Sequence, residues 1–350
     1  MDWDQDGDDR VVHMGLNRGD SGATRRKTRR MSASRLTALL DVRWPNVTLA
    51  STRDLAARGI DHRVLTEAVR RQELVRLRRG VYARRAIWRA LRPWEQDQLR
   101  IEAHWLSTNG AAVYSHTSGA RAHGLTTWDV GPKVHVTVPY SGSKTSHGAD
   151  VVAHSLAVPE MDLARVALAP GRIATAVSVE RAVADCARIL DIERAAIVGD
   201  SALRRGVTIE RIRAAAERSG AVRGSRRVED LLAVLDARAE SAGETRTRLA
   251  LAAAGIPAPE LQYGILTPHG VFRADFAWPE LLVILEFDGD SKYFDYRPTQ
   301  EALLLERRRE VALTEEGWIV VRARWSDLDA PWSLAARLEA AFARSRKLSA

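Results

Sequence analysis

The sequence predicts a multidomain α+β protein, and three observations carry that expectation. At 350 residues the chain exceeds what a single hydrophobic core usually organises. Apolar residues recur at helical spacing in some stretches and alternate, or run on briefly, in others, so helices and short strands are mixed along the chain. Charge is unevenly spread: residues 31–90 hold 13 Arg against 5 Asp or Glu, a net of +8, whereas residues 241–350 stand at −2. Four segments follow: a disordered tail (1–33), a basic helical unit (34–90), an α+β middle domain (91–240) and a domain built on a mixed sheet between helices (241–345).

Several classes are excluded at once. Apolar runs such as Leu249 to Ala254 and Leu281 to Leu285 are far too short to span a bilayer. The N-terminus has no signal-like apolar region, so a cytoplasmic location and no membrane partner are expected. The single cysteine, Cys186, rules out an intramolecular disulfide or a multi-cysteine zinc site and reads as a buried hydrophobe. Residues 1–30 run from an acidic start (Asp2, Asp4, Asp6) to a basic end (Arg25, Arg26, Lys27) without apolar periodicity, the pattern of a disordered tail. Met14 or Met31 would serve as an alternative start.

In the basic unit, Ser34 is placed to cap a helix carrying Leu36, Leu39 and Leu40. Thr52 is placed to cap a short helix closed by Gly59, and Asp61 a third helix with Val64, Leu65, Ala68 and Val69 on one face. Leu74 to Tyr82 alternates around a turn at Arg79-Gly80 and reads as a hairpin. Helix, short helix, polar-faced helix and basic hairpin is the order of a winged helix-turn-helix. In such a unit the third helix fits the major groove and the hairpin lies along the backbone or minor groove. Arg63, Thr66, Arg70 and Arg71 are the candidate recognition face, and Arg76, Arg78 and Arg79 suit phosphate contacts. A basic excess confined to one segment points to a polyanion, with duplex DNA the expected partner. A coding bias toward Arg would enrich it everywhere, which the acidic C-terminal third argues against. A winged helix used for protein contacts is the alternative.

The middle segment alternates helices with short strands. His116 and His123, seven apart, would share a helix face, with His135 and His154 on strands nearby. A metal cluster is the alternative, but no carboxylate or cysteine joins them at a recognised spacing, and hydrogen-bonded structural histidines are the expectation. The loop Ser141 to Gly148, with Lys144, lacks the spacing of a phosphate-cradling loop. Gly220 to Arg227 reads as a linker.

The stretch from Leu55-Ala-Ala-Arg-Gly-Ile through Arg79-Gly-Val-Tyr-Ala83 resembles the N-terminal winged helix of the AbiEi antitoxins of type IV toxin–antitoxin systems. Val113 to Leu125, Lys133 to Pro139 and Arg172 to Arg188 extend the resemblance over roughly residues 34–218. It implies binding to operator DNA, repression of the protein's own promoter and a cognate toxin as partner.

From residue 241 the pattern sharpens. Ser241-Ala-Gly-Glu244 is a capping box opening a helix through Ala254. Residues 261–266, 271–277 and 281–288 read as strands separated by turns at Pro268-His269-Gly270 and Pro279-Glu280. Acids break this apolar context. Asp275 interrupts the second strand; Glu286 and Asp288 end the third, where alternation puts them on one face. Hairpin pairing would bring Asp275 beside them. Three carboxylates at one sheet end repel unless a cation lies between them. Mg²⁺ (or Mn²⁺) suits hard oxygen ligands and would activate water for phosphodiester hydrolysis. A structural ion pair with arginines is the alternative.

This layout resembles the PD-(D/E)XK nuclease superfamily, with Asp288 standing where the pattern has Lys. Arg273 to Glu280 and Glu286 to Tyr293 are similar to uncharacterised relatives of the very-short-patch-repair (Vsr) endonucleases. A helix around Glu301 to Glu310 and a strand from Trp318 to Arg324 extend the likeness over about residues 241–345. The resemblance implies a restriction-endonuclease-like α/β/α domain acting as a Mg²⁺-dependent DNA endonuclease. Asp275 and Glu286 would be primary metal ligands. Asp288 would be a further ligand or would orient water, Glu244 an additional acid, and Lys292 a cation stabilising charge on phosphate. Arg307, Arg308 and Arg309 would meet phosphate or form a solvated face. The departure at Asp288 keeps open a second reading: an antitoxin-like autoregulator whose nuclease fold is inactive and serves binding.

Overall fold

Residues 31–139, 148–289 and 300–348 are described by the structure, a computed structural model. The predicted tail at 1–30, most of the Ser141–Gly148 loop and Lys292 lie outside the described residues. Three sheets follow one another along the chain, each with its own helices.

The first unit runs α1 (Ala33–Arg43), β1 (Leu49–Ser51), α2 (Thr52–Ala57), α3 (His62–Arg70), β2 (Leu74–Arg78) and β3 (Val81–Arg84). Its antiparallel sheet has the order β1-β3-β2. Leu36, Leu40, Leu55, Ile60, Leu65 and Ala68 fill the core beneath it. Two caps differ from the sequence expectation. Ser32, not Ser34, accepts from the Arg35 amide at the start of α1. Ser51, not Thr52, caps α2, in a reciprocal box with Asp54; the Thr52 hydroxyl instead donates to the Gly80 carbonyl at 3.2 Å and ties α2 to the hairpin turn. Asp61 caps α3 as predicted, accepting from the Val64 amide at 2.9 Å. Gly80, at φ 79°, takes the left-handed conformation that the hairpin turn requires.

The middle unit comprises α4 (Arg85–Ala90), α5 (Pro93–Thr108), β4 (Val113–Tyr114), α6 (His116–Ala122), β5 (Val134–Val138), β6 (Val151–Ser155), β7 (Leu163–Ala169), β8 (Arg172–Val177), α7 (Val179–Ile189), α8 (Ile192–Leu203), α9 (Ile209–Arg218) and α10 (Ser225–Leu232). The strands form one sheet in the order β6-β5-β4-β8-β7. Helices α7 to α10 pack around Val183, Cys186, Ala196, Ile212 and Leu231, so the lone cysteine is the buried hydrophobe it was read to be. The predicted linker at Gly220 to Arg227 is corrected. From Ser225 it is the first turn of α10, because Val228, Leu231 and Leu232 give that segment an apolar face to bury. Helix α5 places Leu99 and Ala103 against Leu49, Val81 and Ala83 of the first sheet, so the first two units share apolar packing.

The third unit is α11 (Ala242–Ala253), β9 (Glu260–Thr267), β10 (Gly270–Trp278), β11 (Val283–Phe287), α12 (Gln300–Glu315), β12 (Ile319–Ala323), α13 (Trp325–Leu328) and α14 (Pro331–Leu348). Its mixed sheet has the order β12-β11-β10-β9, with β11 and β12 parallel and the other pairs antiparallel. One face, with Phe276, Leu285 and Val321, packs on Leu251 of α11 and Leu338 and Phe342 of α14. The other, with Ala277 and Ile284, packs on Leu313 of α12 and on Trp318. Among the described residues no helix is long and apolar enough to cross a membrane.

The third unit is clamped to the second. Buried Asp200 of α8 accepts from the Asp236 amide (2.8 Å), the Thr245 hydroxyl (2.9 Å) and Arg248 (2.8 Å). Trp128 and Trp325 stack nearly parallel at 5.7 Å, and the Arg246 guanidinium lies 4.2 Å from the Trp128 ring centre.

Candidate acidic site and candidate nucleic-acid interface

In the third sheet the last β10–β11 pair is Phe276 with Leu285, and Asp275 and Glu286 are the next residues beyond it. The regular ladder stops there. The Phe287 amide donates to Oδ2 of Asp275 at 2.8 Å, a side chain replacing a backbone carbonyl. On the other side, β9 steps around Gln262, whose φ of 55° marks a local irregularity opposite Asp275. The Gln262 side-chain amide donates to Glu244 at 2.8 Å, as does the Glu240 backbone amide. Glu244 therefore completes only half of the predicted capping box. Ser241 accepts from the Glu244 amide, but the Glu244 carboxylate turns to Glu240 and Gln262 instead of the Ser241 amide.

Gly243 permits this arrangement. A Cβ there would fall 1.9 Å from Cε1 of Phe287, so only glycine lets the start of α11 approach the end of β11. Burial pushes Asp275 above the usual carboxylate range, against the Phe287 amide and Arg309. Burial likewise raises Glu244, and the charge of Asp275 adds to it. Two neighbouring acids held back from ionising favour a cation beside them.

Two expectations need correcting. Asp288 does not end the strand on a shared face with Glu286. Strand β11 stops at Phe287, and Asp288 lies exposed beyond it, its amide bonded to the Ala323 carbonyl. The three predicted metal ligands also do not bring three ligand oxygens within 4.8 Å of one another; among the described residues that spacing is met by His116, His135 and His154. Glu286 instead forms an ion pair with Arg309, which also donates to the Arg273 carbonyl at 2.9 Å. Arg309 in turn lines a cleft of about 680 Å³ with Arg307, Arg308, His269 and Phe272.

In the basic unit, Arg63, Thr66 and Arg70 are exposed along α3, and Arg76 and Arg79 along the β2–β3 hairpin. Two predicted contacts are engaged elsewhere. Arg71 is half-buried and bound to Glu67 and to the Met31 carbonyl. Arg78 is paired with Asp150 of the middle unit at 2.5 Å. Glu67 also holds Arg70, at 2.6 Å. The Arg70 hydrogen bond, seconded by Arg71, holds the Glu67 carboxyl down at about 2.

The histidines are sorted differently from their sequence spacing. Helix α6 ends at Ala122, and His123 turns its Nε2 to the Val177 carbonyl at 2.7 Å. His116 meets His135 and His154 across the sheet instead.

The chain is 32% identical over 278 residues to "Uncharacterized protein Rv2248" of Mycobacterium tuberculosis strain H37Rv. It is equally similar to "Uncharacterized protein MT2308" of strain CDC 1551 / Oshkosh. The match covers 78% of this chain and 94% of each relative. No protein-family model matches the chain.

Proposed function

This chain belongs to the same family as those two mycobacterial proteins, and we propose that it is a DNA-binding protein whose third unit hydrolyses phosphodiesters with Mg²⁺ or Mn²⁺. The observation that carries the reading is the β10–β11 ladder, whose last pair, Phe276 and Leu285, puts Asp275 and Glu286 next along the two inner strands of the β12-β11-β10-β9 sheet. The succession of α11, three antiparallel strands, α12 and a parallel strand is the layout expected of the restriction-endonuclease-like domain that the sequence resembles.

The donor set suits a hard cation, which takes oxygen ligands. Asp275 and Glu286 would hold it, and Glu244 would support it through Gln262. A metal bound there supplies Lewis-acid stabilisation of the phosphate and lowers the pKa of a bound water. Arg309, now bonded to Glu286, is placed to pass from that carboxylate to a phosphate. Arg307 and Arg308 in the same cleft extend the cationic surface. Lys292 keeps its proposed part in charge stabilisation, on the resemblance alone. The first unit would dock on duplex DNA as a winged helix, with Arg63, Thr66 and Arg70 toward the groove and Arg76 and Arg79 toward phosphate. The test is Mg²⁺- or Mn²⁺-dependent cleavage of plasmid DNA, lost in Asp275→Ala.

A second reading has an observation of its own. The Glu286–Arg309 pair neutralises a would-be ligand, as in a fold retained for binding. The protein would then be an antitoxin-like autoregulator with a cognate toxin. Tight binding to its own promoter without cleavage under either metal would favour that reading.

A further inference from the structure

The middle unit holds a cluster that neither DNA binding nor phosphodiester hydrolysis uses. His116 opens α6, His135 lies in β5 and His154 in β6. Strands β5 and β6 run parallel with His135 opposite Val152 and Thr137 opposite His154. Two-residue alternation therefore puts His135 and His154 on the same sheet face. Their rings meet there, with Nδ1 of His135 2.9 Å from Nε2 of His154. The His116 ring stacks on His154 at 3.5 Å between centres. One nitrogen from each of the three rings lies within 4.8 Å of the others.

We propose that His116, His135 and His154 form a binding site for one zinc-class divalent transition metal ion. Several features of the site support this. First, the donors are imidazoles alone, which suit Zn²⁺ and its neighbours and not Mg²⁺. Second, the backbone is held in an uncommon conformation to build the site: His116 has φ 49°, left-handed for a side-chain-bearing residue. Such strain persists only where its surroundings fix it. The fixing contacts are present. The Ser115 amide donates to the His135 carbonyl at 3.1 Å, and the His135 amide donates to the Ser118 hydroxyl at 2.8 Å.

Third, the positive charges near the rings are already paired. The nearby cations Arg181 and Arg188 are balanced by Asp162 and Asp185, with Asp185 bonded to both. Fourth, the Thr137 hydroxyl on the same face is buried without a hydrogen-bond partner among the described residues, so polar capacity at the site is unused. Ligand lone pairs lie in the ring plane, so binding must open the His116–His154 stack and replace the His135–His154 hydrogen bond. The ion would join α6 to the β5–β6 edge of the sheet.

The test uses the full chain with any affinity tag removed, stripped with EDTA and titrated with Zn²⁺, and with Co²⁺ as a coloured probe. One equivalent should bind with the visible Co²⁺ absorption of a nitrogen-ligated site, and the melting temperature should rise with Zn²⁺. His135→Gln and His154→Gln should each weaken binding by more than about tenfold, a loss that even a group merely orienting a ligand can cause. His269→Gln should bind as the parent does, and the nitrogen-ligated Co²⁺ spectrum separates this site from the acidic, oxygen-only one. The half-exposed His154 is the safer substitution should His135→Gln fail to fold. Absence of stoichiometric Zn²⁺ binding, or binding unchanged in a folded His154→Gln, would overturn the proposal.

Discussion

The carboxylate of Asp275 accepts the amide hydrogen of Phe287 at 2.8 Å, taking the place of a backbone carbonyl where the β10–β11 ladder ends. The same side chain is thus both the last rung of the sheet and the first acid of the candidate site. An Asn at this position keeps an oxygen for the Phe287 amide and removes a charge that burial disfavours. Asp275→Asn should therefore keep or raise the melting temperature while lowering metal-dependent cleavage by at least about a hundredfold, the scale of losing one electrostatic contributor. A melting scan beside a cleavage assay checks both halves.

Gly243 is the complementary case, since its position demands an absent side chain. The added methyl of Gly243→Ala would drive into the Phe287 ring. Overpacking of this kind costs about 1–3 kcal/mol, read by urea unfolding. Cleavage should fall as well, because displacing Phe287 moves the amide that holds Asp275.

Glu67 restrains the candidate recognition face by holding Arg70 and Arg71. Glu67→Gln should raise affinity for duplex DNA and steepen its dependence on salt by about one to two released ions, whereas Arg70→Ala should flatten it by about one. Fluorescence anisotropy over a salt series measures both.

The same residue sets a pH dependence. The Glu67 carboxyl lies at about 2 in the fold against an ordinary 4.5. Between those values the unfolded chain binds the proton and the folded chain does not. Its contribution is therefore fully present above about pH 4.5 and is lost as pH falls toward 2. In Glu67→Gln the acid-side slope of stability should be shallower, as urea midpoints between pH 5 and pH 2.5 (on the order of that window) will show.

Arg246 joins the second and third units. It lies over Trp128, reaches Trp325 at 5.7 Å, and bonds Glu193 at 3.0 Å. Its removal should cost about 2 kcal/mol, the range for a desolvated cation over an aromatic ring. Calorimetry of Arg246→Ala should show two unfolding transitions in place of one coupled transition.

Local features were the legible ones. Asp61 as a cap, the hairpin at Arg79-Gly80, the buried Cys186 and the acids interrupting apolar strands all follow from spacing and residue type within a few positions. The short strand β1 was not anticipated. Three residues, Leu49 to Ser51, carry too little pattern, and the strand exists because β3 offers it an edge. Partners far along the chain were also hidden. Nothing near Arg78 announces Asp150, and nothing near Glu286 announces Arg309. The histidines show the limit most plainly. Counting seven along a helix joined His116 to His123, but α6 is too short for that face, and sheet pairing across separate strands gathers His135 and His154 instead. Asp288 was assigned to a strand face because the apolar run reaches it, yet β11 ends one residue earlier, where the Ala323 carbonyl takes its amide.

Duplex cleavage at saturating protein tests most directly whether Asp275 and Glu286 form a metal-dependent hydrolytic site. Single-turnover rates with Mg²⁺ or Mn²⁺ should be measurable for the unaltered chain, absent in EDTA, and lost in both Asp275→Asn and Glu286→Gln while DNA affinity is kept. Cleavage that survives in both folded variants, or a chain that binds duplex tightly and cuts it under neither metal, would contradict the account.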